Sequence, residues 1–281
     1  MNTISSISDQ PMLNIIQARK TFNANTVNEV KPMRGVTLSV EPGSFVIVLG
    51  SNGSGKSTLL NAIAGSFMLD SGRIVLDGHD ITRWPEHRRA ALIGRVFQNP
   101  FSGTAPNMSI AENFALASRR GLMRGLSWAC SSKRQDELRD RVRELKMGLE
   151  DRLDSAIGSL SGGQRQALTL LMATWLKPKL LLLDEHTAAL DPKSAEQVIA
   201  LTDQIVRQQG LTTLMVTHSM QQAVNLGNRI VMMHQGQVMH DFSGSQKARL
   251  RVDDLLERFD NIRRRELLDE SAAALLRRRY V

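Results

Sequence analysis

The sequence predicts an α/β fold with a mostly parallel core sheet, on three observations. Apolar runs of strand length alternate with helical segments along most of the chain, the pattern of a sheet crossed by helices. A glycine-rich loop, Gly50-Ser51-Asn52-Gly53-Ser54-Gly55-Lys56-Ser57, separates one such run from one such helix. Polar residues close three more runs: Gln98 after Ile93 to Phe97, Asp184-Glu185 after Leu180 to Leu183, and His218 after Thr212 to Val216. Ligands of open α/β sheets gather at the carboxyl ends of the strands, so these residues are candidates for one site.

Strand-like segments at Leu13 to Ala18 and Val36 to Val40 precede the loop, which is entered by Phe45 to Leu49 and left by a helix from Ser57 to Ala64. Arg73 to Leu76 is a further strand. Segment 100 to 158 breaks the alternation and reads as helices, Ser109 to Ser118 and Ser132 to Lys146 among them; it is assigned as a second lobe inserted into the first. Leu160 to Gln164 opens a helix running to Trp175, and Pro192 to Gln209 is a helix with proline in its first turn. Ile230 to Met233 and Val238 to Phe242 form a hairpin about Gln235-Gly236, with Met232, Met233 and Met239 read as sheet core. After Gly244 comes an amphipathic tail. Leu255, Leu256, Phe259 and Ile262 fall at helical spacing, followed by basic triplets at Arg263 to Arg265 and Arg277 to Arg279; packing on its own domain is the expectation for the tail, with dimerisation and contact with the membrane surface as the other readings. The organisation is thus 1–12 as an extension, 13–245 as the main domain and 246–281 as the tail.

The loop fits the pattern of Gly, four residues, Gly-Lys and Ser or Thr that cradles phosphates. Glycines at 50, 53 and 55 permit backbone angles that let successive N–H groups meet one anion, and the following helix start adds positive potential. Lys56 is suited to neutralise β and γ phosphates, the Ser57 hydroxyl to bind Mg²⁺, and Thr58 to contact the α phosphate. Alone, the loop identifies a nucleoside triphosphatase. Asp184 and Gln98 are candidate Mg²⁺ ligands beside Ser57, and Glu185 is placed to deprotonate a water. Taken in isolation, the carboxylate pair reads equally well as solvated strand-end residues. Ser161 is a helix cap that leaves bare amides at Gly162 and Gly163.

In this order, the loop, Gln98, Leu160-Ser161-Gly162-Gly163-Gln164, Asp184-Glu185, Ala188-Ala189-Leu190-Asp191 and His218 resemble the ATP-binding subunit of ABC transporters, over about residues 13 to 245. The resemblance implies the ABC ATPase version of the P-loop fold: a mixed, mainly parallel core sheet, an antiparallel β subdomain and an inserted helical lobe. It implies that Leu160 to Gln164 of one protomer meet the γ phosphate held by the loop of another, with Ala188 to Asp191 at the dimer seam. Glu185, His218 and Gln98 are then catalytic, ATP and Mg²⁺ are the ligands, and Phe22 is the ring that stacks on adenine; burial in the core is the other reading of Phe22. Two departures from the resembled pattern are His186 in place of proline and Ala188 in place of serine.

The chain has 281 residues, a net charge of +8 and a sequence pI of about 10.1. No stretch approaches the ~20 apolar residues of a spanning helix, and the start has no signal-like pattern, so a peripheral place on the cytoplasmic face of the membrane is expected. Cys130 is the only cysteine, which excludes an intrachain disulfide. Positive charge clusters at Arg119, Arg120, Arg124, Lys133, Arg134, Arg139, Arg141, Arg143 and Lys146. Two uses are open: anionic headgroups beside a membrane partner, or a solvated helix laced with Asp136, Glu137, Asp140 and Glu144. The resemblance implies a second copy or close homologue, membrane permease subunits and an extracytoplasmic substrate-binding protein as partners; no nucleic-acid module is found. The lack of a fused membrane domain, and the absence of an acidic stretch in Leu153 to Ser159, lean toward import of a small solute over export, and the resemblance of the helical lobe to those of amino-acid importers implies a solute such as an amino acid. A non-transport ATPase acting on DNA or the ribosome is the competing class, disfavoured by a single cassette without sustained heptads.

Overall fold

In the computed structural model, which describes residues 10–121, 132–262 and 264, the alternation resolves into two sheets. The chain opens with β1 (Leu13–Phe22) and β2 (Val30–Val40), antiparallel partners in which Leu13 faces Val40 and Ile15 faces Leu38. β3 (Phe45–Gly50) then leads through the glycine loop into α1 (Lys56–Ala64). β4 (Ser71–Leu76) and β5 (His79–Asp80) complete an antiparallel sheet of order β2-β1-β4-β5. After the short α2 (Glu86–Arg89) and β6 (Ile93–Val96) come α3 (Ile110–Ala117), α4 (Ser132–Arg143) and α5 (Gly162–Thr174). The remainder runs β7 (Leu180–Asp184), α6 (Pro192–Gln209), β8 (Thr213–Val216), α7 (Met220–Asn225), β9 (Arg229–His234), β10 (Gln237–Ser243) and α8 (Gly244–Arg249). The second sheet has the order β10-β9-β3-β8-β7-β6, parallel throughout except for the β9–β10 hairpin.

Side chains of β3 alternate between two buried clusters. Phe45, Ile47 and Leu49 join a cluster with residues of α3 to α6, while Val46 and Val48 join one with α1 and the antiparallel sheet. A strand covered on both faces reads as a continuous apolar run, which is how β3, β7 and β8 stand in the sequence. β1 runs past its apolar segment through Arg19, Lys20 and Thr21 because ladder pairing, not burial, holds that end.

Helix boundaries follow local chemistry. α3 starts at a capping box in which Ser109 accepts from the Glu112 N–H and the Glu112 carboxylate accepts from the Ser109 N–H. α6 begins after Asp191, whose carboxylate accepts from the Ser194 N–H, has Pro192 at its first position and stops at Gly210 with φ 61°. The described part of the tail packs on the main core through buried Leu255 and Ile262 in the helical stretch 252–262, with Leu256 exposed. Cys130, Arg124 and the triplet Arg277 to Arg279 lie outside the described residues, as do Arg263 and Arg265. Met232 and Met233 are buried, but Met239 is 41% exposed: it lies on the outer face of β10, the antiparallel edge of the sheet. On α4, Arg139, Arg141 and Arg143 pair with Asp136, Glu137 and Asp140, so these arginines form the acid-laced helix.

Arg89 fastens the sheets' junction. It is 1% exposed, and its guanidinium donates to the carbonyls of Ala62 and Ile63 at the end of α1, and to those of Thr82 and Trp84. Among the described residues these four carbonyls have no other donor, so loss of the side chain leaves them unpaired. Arg89→Met is expected to lower stability by about 3 kcal/mol, read from urea midpoints, with Arg89→Lys recovering only part. An unchanged midpoint in Arg89→Met would show that the carbonyls find other donors.

Candidate functional site

The phosphate loop leaves β3 at the carboxyl edge of the parallel sheet. Gly53 and Gly55 have φ of 77° and 98°, in the region that favours glycine. A Cβ at Gly55 would collide with the Pro32 carbonyl, so the loop lies directly on the backbone of β2. The β9–β10 turn supports it from the other side: the Gly236 N–H donates to the Ser54 carbonyl at 3.0 Å, and the Gly236 carbonyl accepts from Arg34 N–H at 2.8 Å. No side chain caps α1, which leaves its first-turn amides for a ligand. Lys56 is 5% exposed and donates from Nζ to the carbonyls of Gly50 (2.9 Å) and Ser51 (3.0 Å). Burial pulls the Lys56 pKa down, while the fields of Glu185 and Asp184 oppose that shift. Ser51, Asn52 and Gly53 are exposed, Ser54 is buried and Thr58 is half-buried.

The polar strand ends meet beside this loop. Ser57 Oγ donates to Asp184 Oδ1 at 3.0 Å, joining the helix after β3 to the end of β7. Glu185 adopts φ 44°, a strained left-handed conformation for a residue with a Cβ, and its N–H donates to the Val216 carbonyl of β8 at 3.1 Å. Its carboxylate has two partners: Oε1 lies 2.5 Å from His218 Nε2, and Oε2 accepts from Gln98 Nε2 at 3.4 Å. Glu185 is largely enclosed, whereas His218 and Gln98 are exposed.

Arg95 was not singled out from the sequence. It reaches from β6 to within 3.9 Å of Asp184 Oδ2, donates to Asn61 Oδ1 and Ser66 Oγ, and stacks on Phe97 at 4.4 Å. Burial lowers its pKa and Asp184 raises it. Its signal was an arginine inside an apolar run, since an enclosed charge needs a partner.

Phe22 belongs to neither buried cluster. It is 37% exposed, meets Phe67 edge-to-face at 5.2 Å, and the Lys20 ammonium lies 5.5 Å from its ring. The ring is held yet open.

Leu160 to Gln164 form a different surface. Ser161 and Gln164 close a capping box: Ser161 Oγ accepts from the Gln164 N–H at 3.3 Å, and Gln164 Oε1 accepts from the Ser161 N–H at 3.2 Å. Ser161 is exposed and Leu160 buried. Gly163 faces Ser194, and a Cβ there would come within 2.8 Å of the Ser194 Cβ; Gly162 faces Leu190. Beneath them, Arg165 donates to the carbonyls of Ile157, Gly158 and Leu160 and stacks on Phe101 at 3.7 Å. Among the described residues, no hydrogen bond joins Leu160–Gln164 to the phosphate loop. They lie instead against the start of α6. In the turn leading into α6, Ala188, Ala189 and Asp191 are exposed and Leu190 is half-buried. His186 is buried, with Nε2 3.0 Å from Thr202 Oγ1, and burial lowers its pKa to about 4, so it is neutral near pH 7.

A protein-family model described as ABC transporter matches residues 33–188, more than half of the chain. The chain belongs to the ABC transporter family. As such it is an ATP-binding subunit that hydrolyses ATP for transport. It is 42% identical to the tyrosine transport ATP-binding protein of Clostridioides difficile, over 89% of this chain and 99% of that one. It is 35% identical to the spermidine/putrescine import ATP-binding protein PotA of Haemophilus influenzae, over 85% of this chain and 60% of that longer relative. Among solved structures, the ADP conformation of MJ1267, an ATP-binding cassette of an ABC transporter, superposes with TM-score 0.71 at 26% identity, covering 88% of this chain and 95% of that one. MJ0796, a dimeric cassette in a post-hydrolysis state bound to ADP and Pi, gives 0.70 at 26% identity, over 83% and 98%. The expected fold, a mixed parallel sheet with an antiparallel β subdomain, is the fold of this family.

Glu185 sits between two polar partners that orient its carboxylate. Glu185→Gln keeps the shape and removes the basicity, so kcat for ATP hydrolysis is expected to fall by about 10²-fold or more while ATP binding persists. Steady-state turnover and fluorescent-nucleotide binding on the same preparation check both halves; full turnover would exclude Glu185 as the base.

Proposed function

We propose that two copies of this chain close on ATP to form composite sites, and that the cycle drives a small solute, such as an amino acid, inward through separate permease subunits. The placement of Leu160–Gln164 against α6, apart from the chain's own phosphate loop, carries the dimer reading. In this reading Gly50 to Thr58 hold the phosphates, Phe22 stacks on adenine, and Ser161 to Gln164 complete the site of the neighbour. Ala188 to Asp191 line the seam.

Ser57 and Asp184 supply one hydroxyl and one carboxylate in mutual contact, a hard-oxygen set that fits Mg²⁺, which keeps waters and phosphate oxygens in its remaining positions. The Gln98 amide oxygen is a further donor, its nitrogen being directed to Glu185. When bound, Mg²⁺ offsets negative charge on the β and γ phosphates. Glu185 accepts a proton from water as the water oxygen bonds to the γ phosphorus and the bond to the β-phosphate oxygen breaks. His218 and Gln98 fix the carboxylate for that transfer.

Import is supported by the likeness to the spermidine/putrescine import protein, and an amino-acid solute by the likeness to the tyrosine transport protein, which is matched over nearly its full length. A substrate-binding protein and the permease would select the solute. No helix among the described residues is long and apolar enough to cross a membrane, in keeping with a peripheral position on the cytoplasmic face. The division into 13–245 with a lobe at about 100–158 is supported by α3 and α4 lying between β6 and β7, and we assign permease contact to that lobe.

Lys56→Ala and Ser161→Arg should each abolish hydrolysis. Mixed together they should regain activity, because a heterodimer pairs the intact loop of one protomer with the intact Ser161 of the other. A mixture as inactive as its components would place both halves in one chain. Purification from membranes should recover a multispanning partner; ribosomes or DNA in its place would overturn the transport assignment of partners.

A further inference from the structure

The residue after the general base is a buried histidine whose ring makes a single bond. His186 Nε2 lies 3.0 Å from Thr202 Oγ1, and the Thr202 hydroxyl donates to the Val198 carbonyl at 2.7 Å. The threonine oxygen therefore accepts, which fixes the His186 proton on Nε2 and leaves Nδ1 without a partner among the described residues. An unpartnered buried nitrogen is costly for a residue that only fills space. Thr202 is itself fully buried in α6, among Val198, Leu201 and Ile205.

Glu185 has φ 44°, so the peptide joining it to His186 must be held against relaxation into an ordinary conformation. Backbone bonds do part of this, from Glu185 N–H to Val216 and from Ala188 N–H to the Glu185 carbonyl at 2.9 Å. Proline, the residue of the resembled pattern at this position, fixes its own φ and biases the preceding residue away from the right-handed helical region. Histidine imposes neither restriction. We propose that His186 is a positioning residue, and that its hydrogen bond to Thr202 anchors the Glu185 peptide to α6 and so aims the catalytic carboxylate. The inference rests on the reading of Glu185 as general base.

Thr202→Val removes the acceptor at nearly constant volume, and His186→Ala removes the donor. Each is expected to lower kcat about tenfold with KM for ATP little changed, since the phosphate loop is untouched. His186→Pro is expected to retain more of the wild-type kcat than His186→Ala, because the ring itself bars Glu185 from relaxing into the right-handed helical region. Urea midpoints on the same preparations identify a variant that does not fold; if Thr202→Val is lost this way, the contrast between His186→Ala and His186→Pro decides. Wild-type kcat in folded Thr202→Val or His186→Ala overturns the proposal, as does a His186→Pro protein as slow as His186→Ala. Glu185→Gln assayed alongside separates the two levels: if it turns over normally the base assignment fails, and if it is inactive while the anchor variants are active only this inference fails.

Discussion

The backbone of the phosphate loop rests directly on two other backbones, and the remaining architecture depends on that contact. Gly55 lies against the Pro32 carbonyl, and Gly236 packs on the same carbonyl while bonding to Ser54 and Arg34. A loop whose amides must converge on an anion cannot be held by its own side chains, because a Cβ would close the cradle. Neighbouring main chain has to hold it instead. This explains why an antiparallel sheet is joined to the parallel one here: the β2 entrance and the β9–β10 turn supply that main chain. Arg89 secures the other end of α1 against the same β-rich layer.

With the loop fixed, the electrostatics of the site are those of two cations and two carboxylates in partial burial. Lys56 and Arg95 both pay for desolvation, and Asp184 contributes to retaining the charge of each. Asp184 is shared by Ser57 and Arg95, so it cannot move without disturbing both α1 and β6. Glu185, one residue on, is instead tied to β8, His218 and Gln98. Adjacent carboxylates are thus assigned to different partners by the strand ends they face. The left-handed conformation of Glu185 itself makes that division possible.

Much of this was legible in the sequence, for physical reasons. The glycine loop, the strand-end polar residues and the α6 boundaries are written locally, in backbone freedom, in alternation and in capping chemistry, and the structure places them accordingly. The short β5 and α2 carried no periodic signal and were not anticipated; they are held by Thr82, Asp80 and Arg89. The Arg95–Asn61–Asp184 set joins three elements far apart in the chain, and spacing cannot show such a meeting. Met239 looked like core because hydropathy does not distinguish the inner face of a hairpin from its outer one when the strand ends the sheet. His186 stood out only as a departure from a pattern, and its partner became visible once α6 was seen to cover it.

The covering helix also gives Leu160–Gln164 a physical relation to Glu185 of the same protomer. Gly163 has no Cβ because Ser194 occupies that space, and Ser194 is bonded to Asp191 at the start of α6. Two turns along, Thr202 holds His186, next to Glu185. The helix between them is continuous, capped at both ends and buried on one face, so a displacement imposed at Gly163 is resisted by bending a packed element. In a dimer of the proposed kind, the surface that senses the neighbour's nucleotide and the base that acts on the protomer's own would be mounted on one rigid body. Sequence distance hides this: Gly163 meets Ser194 and His186 meets Thr202, so contacts along α6 connect residue 163 with the neighbour of Glu185.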